Sequence, residues 1–273
     1  MAVGHVGWLA NRRPFGYLRP VDTTDTARRL VAATRRLSRA VGRLTFSPPV
    51  GYVANPLDYA RAPHEAYLAR YAAGPKRIVF LGMNPGPWGM AQTGVPFGDI
   101  DMVRDWLGIS GRVVVPEREH PRVPIRGFDS TRGEVSGARL WGMLRDRYGT
   151  AAAMARELFV ANYCPLLFLD VGGRNLTPDR IGRADQGALF AACDECLRTL
   201  VEVLRPQWLV GVGQFAEKRL LSVAEKLGET APRVMGIMHP SPANPRAQND
   251  WAGQVTAALV EAGVWSTGGR TRR

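Results

Sequence analysis

The sequence predicts an α/β domain with three layers, α/β/α, around a central, mainly parallel sheet of four strands. Two observations support this fold class. Four short, almost wholly apolar segments have the composition of buried strands, and a helical segment follows each of them. Strands that alternate with helices pair in parallel through right-handed crossovers, so both faces of the sheet are covered. We expect a single domain over residues 25–273, preceded by a basic, poorly ordered leader over residues 1–24.

Local patterns predict each element in order. Residues 27–44, "ARRLVAATRRLSRAVGRL", place leucines and a valine on one helical face and arginines on the other, which indicates an amphipathic helix packed on the domain. A transit segment or a nucleic-acid-binding arm is the alternative for this segment. Strands are predicted at 76–82, 158–162, 207–213 and 233–238, with helices at 138–149, 185–206, 214–228 and 250–264. Proline and glycine, at Pro206 and Gly228, end two of these helices.

Composition excludes several protein classes. Hydrophobic residues make up 45% of the chain and charged residues 22%, as in ordinary globular proteins. Three cysteines are too few for a disulfide framework and indicate a reducing compartment. No apolar stretch is long enough to span a bilayer, and the N-terminus lacks the apolar core of a secretory signal. We expect a monomer without a membrane partner, cytoplasmic and nucleoid-associated in a bacterium or nuclear in a eukaryote.

The charge balance has two explanations. The chain carries 36 basic and 24 acidic residues, for a formal net charge of +12, and only three of the bases are lysines. GC-rich coding favours arginine whatever the function. Clustered guanidinium groups also attract a polyanion such as DNA, whose phosphates release counterions on binding. Charge by itself leaves these explanations equally supported.

Polar residues follow the predicted strands at the points where each strand ends. Asn84 follows the first strand, Asn162 ends the second, the turn at 211–214 follows the third, and His239 follows the fourth. In an open parallel sheet, ligands bind beyond the carboxyl ends of the strands. Pro85 and the proline after His239 keep the preceding residues extended and stop the strands there. These strand ends therefore predict the rim of a binding site.

The chemistry of these side chains favours a reaction whose leaving group departs first. No acid is expected beside them unless Asp99 or Asp101 folds back, and an amide such as Asn84 can bind a water but cannot take its proton. Cleavage of an N-glycosidic bond to an acidic nucleobase fits, because the base leaves as an anion that His239 can stabilise with a hydrogen bond. The Asn162 amide matches the donor and acceptor pattern of uracil, and Phe97 offers a stacking face for a flipped base.

Other common sites are poorly supported. The glycine-rich segment 80–99 matches neither a P-loop nor a dinucleotide fingerprint. Cys193 and Cys196 lie inside a predicted helix and Cys164 is the only other thiol, so we expect them to pack rather than to ligate a metal or an iron–sulfur cluster. No metal and no cofactor is predicted.

Several motifs, in order along the chain, resemble the single-strand-selective monofunctional uracil-DNA glycosylases. They are "FLGMNPGPWGMAQTGVPFGD", "VSGARLWG", "ANYCPLLFL", "GGRNLTP", "LVGVG" and "HPSPANPRAQNDW", and the resemblance spans residues 46–264. It implies the uracil-DNA glycosylase fold. It also implies excision of uracil and of C5-oxidised uracils, such as 5-hydroxymethyluracil, from single- and double-stranded DNA, which initiates base excision repair.

The resemblance also implies roles for individual residues. Asn84 would position the attacking water, and His239 would stabilise the transition state and the uracil anion. Asn162 would read the Watson–Crick edge and Phe97 would stack on the base. Backbone at three positions would line the pocket near uracil C5: Met83, Gly86 and Met90. The loop 240–250 would wedge into the duplex and contact DNA through Ser241, Pro242, Asn244, Arg246 and Gln248.

Two points stay open at this level. The intruding side chain of the wedge would be Arg246, with a phosphate contact as an equally supported alternative. Trp88 is bulkier than the family pattern leads us to expect, which bears on substrate preference.

Two rival functions are also considered. One is a related iron–sulfur glycosylase acting on uracil, hypoxanthine or xanthine, which needs four cysteines. The other is a non-catalytic module that binds damaged DNA. Retention of Asn84 together with His239 favours catalysis.

Overall fold

The computed structural model describes residues 23–267. Within this range the helices are α1 (Thr23–Val41), α2 (Pro56–Tyr59), α3 (Arg61–Tyr71), α4 (Met90–Thr93), α5 (Val135–Tyr148), α6 (Ala151–Ala155), α7 (Arg183–Leu204), α8 (Gln214–Leu227) and α9 (Trp251–Glu261). The strands are β1 (Tyr52–Ala54), β2 (Ile78–Gly82), β3 (Leu158–Asn162), β4 (Leu167–Leu169), β5 (Asn175–Leu176), β6 (Trp208–Val212) and β7 (Arg233–Ile237). Residues 1–22 of the expected leader lie outside the described range, whereas Thr23 and Thr24 already belong to α1.

The main sheet has four parallel strands in the order β3–β2–β6–β7. Strands β2, β3 and β6 are buried along almost their whole length, as expected of a parallel sheet covered by helices on both faces. Strand β7 lies at an edge and is more exposed. The predicted three-layer α/β/α fold is confirmed.

Element boundaries agree with the sequence pattern to within a few residues. Strand β3 spans the predicted 158–162, and the other three strands are one or two residues shorter than predicted. Helix α1 ends at Val41, three residues before the predicted end, and Gly42 begins the turn that follows it. Helix α5 begins at Val135 rather than at residue 138, because the Glu134 side chain caps it by accepting from the Gly137 N–H at 2.7 Å.

A second, antiparallel sheet of three short strands, in the order β1–β4–β5, was not predicted. Its strands have two or three residues each, too few for an alternating pattern to stand out. Strands β4 and β5 follow β3 along the chain and bring residues 175–177 back towards the carboxyl edge of the main sheet.

Aromatic residues fill much of the core. Trp141 and Tyr67 are fully buried, the Tyr67 ring stacks on Phe159 of β3, and the Tyr67 hydroxyl donates to the Val160 carbonyl at 2.8 Å. Helix α8 packs on β6 and β7 across two glycines. Within the described residues, no helix is both long and apolar enough to cross a membrane.

Replacement of Gly211 should separate α8 from the sheet. A Cβ at Gly211 would lie 2.4 Å from the Glu217 backbone nitrogen, so the helix must shift. We expect Gly211→Ala to lower the free energy of unfolding by about 1–3 kcal/mol. The control is Gly142→Ala in α5, where nothing lies within 4 Å of the added carbon and about 0.5–1 kcal/mol of stabilisation is expected. Urea unfolding of both variants measures the difference; equal effects would contradict the close approach.

Candidate active site

Residues at the carboxyl ends of β2, β3 and β7 line a cavity of about 470 Å³. The turn after β6, predicted as part of the same rim, does not line it; Gly213 and Gln214 of that turn line a separate cavity. The chain leaves β2 towards β3 on one side and leaves β6 towards β7 on the other, and such a switch in direction opens a crevice at the strand ends. Nine of the sequence-predicted site residues line this cavity: Met83, Asn84, Gly86, Met90, Phe97, Asn162, His239, Ser241 and Pro242. Strands far apart in sequence thus deliver the predicted side chains to one place.

Gly82, at the end of β2, leaves room for two of these side chains. It stands opposite Asn162 of β3 in the sheet register. A Cβ at Gly82 would lie 2.3 Å from Asn162 Oδ1 and 2.5 Å from the Phe97 ring. Only a glycine therefore allows the amide and the aromatic ring to meet above the strand end.

Phe97 is held in a conformation that non-glycine residues rarely adopt. Its φ is +52°, in the left-handed region, which is costly for a bulky side chain. The surrounding structure fixes it, because its carbonyl accepts from the Trp141 indole N–H at 2.8 Å. Helix α5 also approaches so closely that a Cβ at Gly137 would lie 2.1 Å from the same carbonyl oxygen. The ring is thereby kept on the cavity wall, with its centroid 6.2 Å from that of His239.

Asn84 presents an acceptor oxygen to the cavity. Its amide nitrogen donates to the backbone carbonyl of Leu166 at 3.2 Å and, more weakly, to that of Pro85 at 3.4 Å. With the donor held by the protein, Oδ1 is the group left to accept a hydrogen bond from a water. The side chain can orient a nucleophile without removing its proton.

The amide nitrogen of Asn162 donates only a weak hydrogen bond within the protein. Its Nδ2 lies 3.3 Å from the Met90 sulfur, a weak acceptor. A planar ligand with a carbonyl oxygen at this point would supply a better acceptor. The side chain therefore has unused hydrogen-bonding capacity for a base edge.

His239 is arranged as a neutral donor. Its Nδ1 accepts from the Ser241 backbone N–H at 3.1 Å, which assigns the ring proton to Nε2. Burial lowers the pKa of His239 to about 4, so the imidazole is uncharged at neutral pH. Nε2–H can donate to a developing anion without a positive charge.

The expectation that no acid adjoins the site was wrong. Glu134 lines the cavity, and burial raises the pKa of its carboxyl to about 7. Asp99 and Asp101, the acids that the sequence pointed to, do not line this cavity. The Asp99 carboxylate accepts from the Glu134 and Met102 backbone N–H groups at 2.9 and 3.2 Å, and Asp101 pairs with Arg104.

Sequence analysis also missed other residues of the cavity wall. Asn175 and Thr177 reach it through the small antiparallel sheet, and Val135 and Ser136 reach it from the start of α5. The motifs "GGRNLTP" and "VSGARLWG" contain all four, but neither motif follows a parallel strand. A search for helix caps would have drawn attention to Glu134, which immediately precedes α5.

The predicted wedge loop divides between two cavities. Ser241 and Pro242 line the cavity of about 470 Å³, named the base cavity after the nucleobase that the sequence predicts for it. Asn244 and Arg246 line a second cavity of about 570 Å³ on another side of His239. The exposed Gln248 lines neither of these two; its amide nitrogen donates to the Pro242 carbonyl at 2.7 Å. Asn244 Oδ1 accepts from the Arg246 N–H at 3.2 Å. The Asn244 and Gln248 side chains therefore form hydrogen bonds within the loop that stabilise its conformation.

Hydrogen bonds of one buried side chain, Gln92, fix the glycine-rich loop of the rim. Gln92 is fully buried, and its amide nitrogen donates to the Pro87 and Pro124 carbonyls while its oxygen accepts from the Arg126 and Gly127 N–H groups. This one side chain ties the glycine-rich loop to the segment before α5. Trp88 lines the cavity and stacks under the Arg132 guanidinium at 4.4 Å.

The thiols are free and buried or partly buried. A hydrogen bond with the neighbouring Cys164 thiol, together with burial, raises the pKa of Cys193, and burial raises that of Cys196 to about 12. Among residues 23–267, no three His, Cys, Asp or Glu side chains are grouped so that they could hold a metal ion.

Residues 68–259, most of the length of the domain, match the family described as the uracil DNA glycosylase superfamily. The chain belongs to the uracil-DNA glycosylase superfamily. The family and the enzyme class, uracil-DNA glycosylase, are those that the sequence motifs predict.

Named relatives within the superfamily extend over most of the chain. The single-strand selective monofunctional uracil-DNA glycosylase of Rattus norvegicus is 46% identical over 229 residues, which cover 84% of this chain and 82% of the relative. The Mus musculus protein of the same name is 45% identical over the same share of this chain. The crystal structure of WT Pedobacter heparinus SMUG2 superposes with a TM-score of 0.60 at 19% identity, covering 85% of this chain and 99% of that one. That likeness concerns the fold.

Neutral His239 should make this superfamily member less stable in acid. The unfolded chain binds the proton near pH 6.5 and the folded chain only near pH 4, so the free energy of unfolding falls as pH drops through that window. We expect His239→Gln to reduce this loss by about 3 kcal/mol. Urea unfolding at pH 4 to 7 measures it, with Asn84→Ala as the control because that site does not titrate. A pH slope unchanged by His239→Gln would contradict a neutral imidazole.

Proposed function

We propose that this chain is a monofunctional DNA glycosylase that hydrolyses the N-glycosidic bond of uracil in single- and double-stranded DNA. The observation that carries the proposal is the convergence of three side chains, Asn84, Asn162 and His239, on one cavity beside the Phe97 ring. The names of the rat and mouse relatives support the same reaction.

In the proposed reaction the base leaves before the nucleophile bonds. The C1′–N1 bond breaks, its electron pair passes to the uracil ring, and the deoxyribose becomes an oxocarbenium ion. Neutral His239 donates Nε2–H to O2 of the uracil anion, where negative charge develops. A water held by Asn84 Oδ1 then adds to C1′ and loses its proton to solvent. The proposed reaction ends at the abasic site without strand scission; no lysine is among the described residues that line the cavity.

Base selection is proposed to rest on Asn162 and Phe97. Asn162 Oδ1 would accept from uracil N3–H and its Nδ2 would donate to O4, while cytosine presents the opposite pattern. A mismatch in a closed pocket leaves polar groups unpaired, which costs several kcal/mol. The base would stack on Phe97 after flipping out of the strand.

C5-oxidised uracils such as 5-hydroxymethyluracil are proposed as further substrates, with Met83, Gly86 and Met90 close to C5. The missing side chain at Gly86 supports this, because even an added Cβ would have no neighbour closer than 3.7 Å. Excision of these bases would initiate base excision repair, in the nucleoid or in the nucleus. Ser241, Pro242, Asn244, Arg246 and Gln248 remain the proposed DNA contacts, with Arg246 as the wedge or as a phosphate contact.

Two rivals find less support. An iron–sulfur glycosylase acting on uracil, hypoxanthine or xanthine would need four cysteine ligands, and the chain has three cysteines. A non-catalytic module that binds damaged DNA has no use for a water-binding Asn84 together with a neutral His239 donor.

The first test uses a labelled single-stranded oligonucleotide with one uracil, the purified protein and excess EDTA. Alkali is added afterwards to break any abasic site. Strand cleavage that appears only after alkali would establish a metal-independent, monofunctional glycosylase. Scission before alkali would indicate lyase or nuclease activity, and tight binding without cleavage would favour the non-catalytic module.

Asn84→Ala should slow the hydrolytic step while uracil-DNA binding is retained. The variant loses the acceptor that orients the water, and a loss of about a hundredfold in single-turnover rate is expected. Fluorescence anisotropy with uracil-containing DNA checks binding. A wild-type single-turnover rate would remove the role assigned to Asn84.

Asn162→Asp should shift base preference towards cytosine. A protonated Asp donates to cytosine N3 and accepts from the N4 amino group, the reverse of the Asn pattern. Uracil excision should fall by about a hundredfold, with cytosine release appearing at acid pH. Oligonucleotides that carry one uracil or only cytosine measure both rates. Intact uracil selectivity would contradict reading of the edge by this amide.

A further inference from the structure

Glu134 is the one acid in the base cavity that the proposed mechanism does not use, and its side chain is held in a single place. One carboxyl oxygen, Oε2, accepts from the Gly137 N–H at 2.7 Å and caps α5. The stem packs under the glycine-rich loop, where a Cβ at Gly89 would lie 2.8 Å from Glu134 Cγ. These contacts leave Oε1 directed at Gly86, at 3.7 Å from the point where a Cβ of that residue would stand.

The proposed orientation of uracil places C5 on this side of the cavity. Asn162 Nδ2, which would donate to O4, lies 3.3 Å from the Met90 sulfur. C5 is the ring atom next to the O4-bearing carbon, on the side away from N3. Its substituent therefore points towards the segment 86–90, a tight turn in which the Gly89 N–H donates to the Gly86 carbonyl. The space left by Gly86 is the space a C5 substituent would enter.

We infer that Glu134 is a specificity-determining residue that hydrogen-bonds an oxygen-bearing substituent at C5 of the flipped base through Oε1. The inference rests on the proposed function and deepens it, because it identifies what distinguishes 5-hydroxymethyluracil from uracil in this site. A hydroxymethyl group in the gap at Gly86 reaches a fixed polar atom. A plain C5–H offers that atom no hydrogen bond.

The state of the carboxyl suits this role. Burial is the main cause that raises the pKa of Glu134 to about 7; hydrogen bonds from Gly137 and Ser136 oppose the rise and the Asp99 carboxylate adds to it, so that at neutral pH both protonation states are present. A hydroxyl can donate to the ionised form and accept from the protonated one. Two further titratable groups are close by: Arg132 stacks on Trp88 of the cavity wall, and neutral His239 lines the same cavity.

The test measures kcat/KM for 5-hydroxymethyluracil relative to uracil in the same single-stranded sequence at pH 7. Glu134→Asp keeps a carboxylate that is favoured as a helix cap. Its side chain is shorter by one methylene, so the oxygen that does not cap the helix no longer reaches the position of Oε1 beside Gly86. We expect the ratio to fall about tenfold in Glu134→Asp, and less in Glu134→Gln, which keeps a hydrogen-bonding atom at the position of Oε1. Melting temperatures report any loss of the cap.

Gly86→Ala is the matched control for the position of the substituent. Its added methyl lies at an ordinary contact distance from Glu134, so the fold is retained while the gap is filled, and the same ratio should fall. If Gly86→Ala lowers the ratio and both Glu134 variants stay within twofold of wild type, the inference is overturned. A purely capping role would lower excision of both bases alike and leave the ratio unchanged, which overturns it as well.

The same assay separates this inference from the proposed function. If the wild-type protein excises neither base, so that alkali reveals no abasic site, the proposed function fails. If it releases uracil and the ratio responds only to Gly86→Ala, the proposed function stands and the role of Glu134 fails.

Discussion

Three segments of the chain meet above Gly82, and their closeness sets the geometry of the whole site. The amide of Asn162 and the ring of Phe97 occupy the space that a side chain at this position would need. The parallel register of β2 and β3 continues past the strands, as the Tyr163 and Cys164 N–H groups donate to the Gly82 and Met83 carbonyls at 2.9 Å. The sheet edge thus fixes Asn162, the proposed base-reading group, and brings it against Phe97, the proposed stacking group, which the loop after α4 carries.

The proposed mechanism relies on neutral dipoles. Asn84 and Asn162 are amides, and burial keeps His239 uncharged at neutral pH. A neutral donor suits a departing base, because its hydrogen bond strengthens as charge develops and no ion pair has to be desolvated beforehand. Glu134 is the exception, and its raised pKa leaves it only partly ionised. A partly ionised Glu134 therefore repels the leaving anion less than a fully ionised carboxylate would.

Backbone strain at Phe97 is maintained by structure remote from the sheet. Its carbonyl is fixed by Trp141 of α5, while Gln92 ties the preceding loop to the segment before the same helix. Arg139 of α5 donates to the Pro240 carbonyl at 2.8 Å and so fixes the loop that follows His239. Helix α5 thus links the stacking face, the capping acid Glu134 and the loop predicted to contact DNA.

The sequence by itself determined the parallel sheet and the meeting of three side chains that are proposed to act on the substrate. Apolar runs mark buried strands, and all parallel strands end at the same edge of the sheet. The sequence therefore predicts that Asn84, Asn162 and His239 lie close together. Tertiary structure alone decided the rest of the wall. Glu134 and Asn175 reach the cavity from a helix cap and from a strand of two residues, and neither carries a periodic signal. Their positions depend on contacts between segments distant in sequence, which local propensity does not encode.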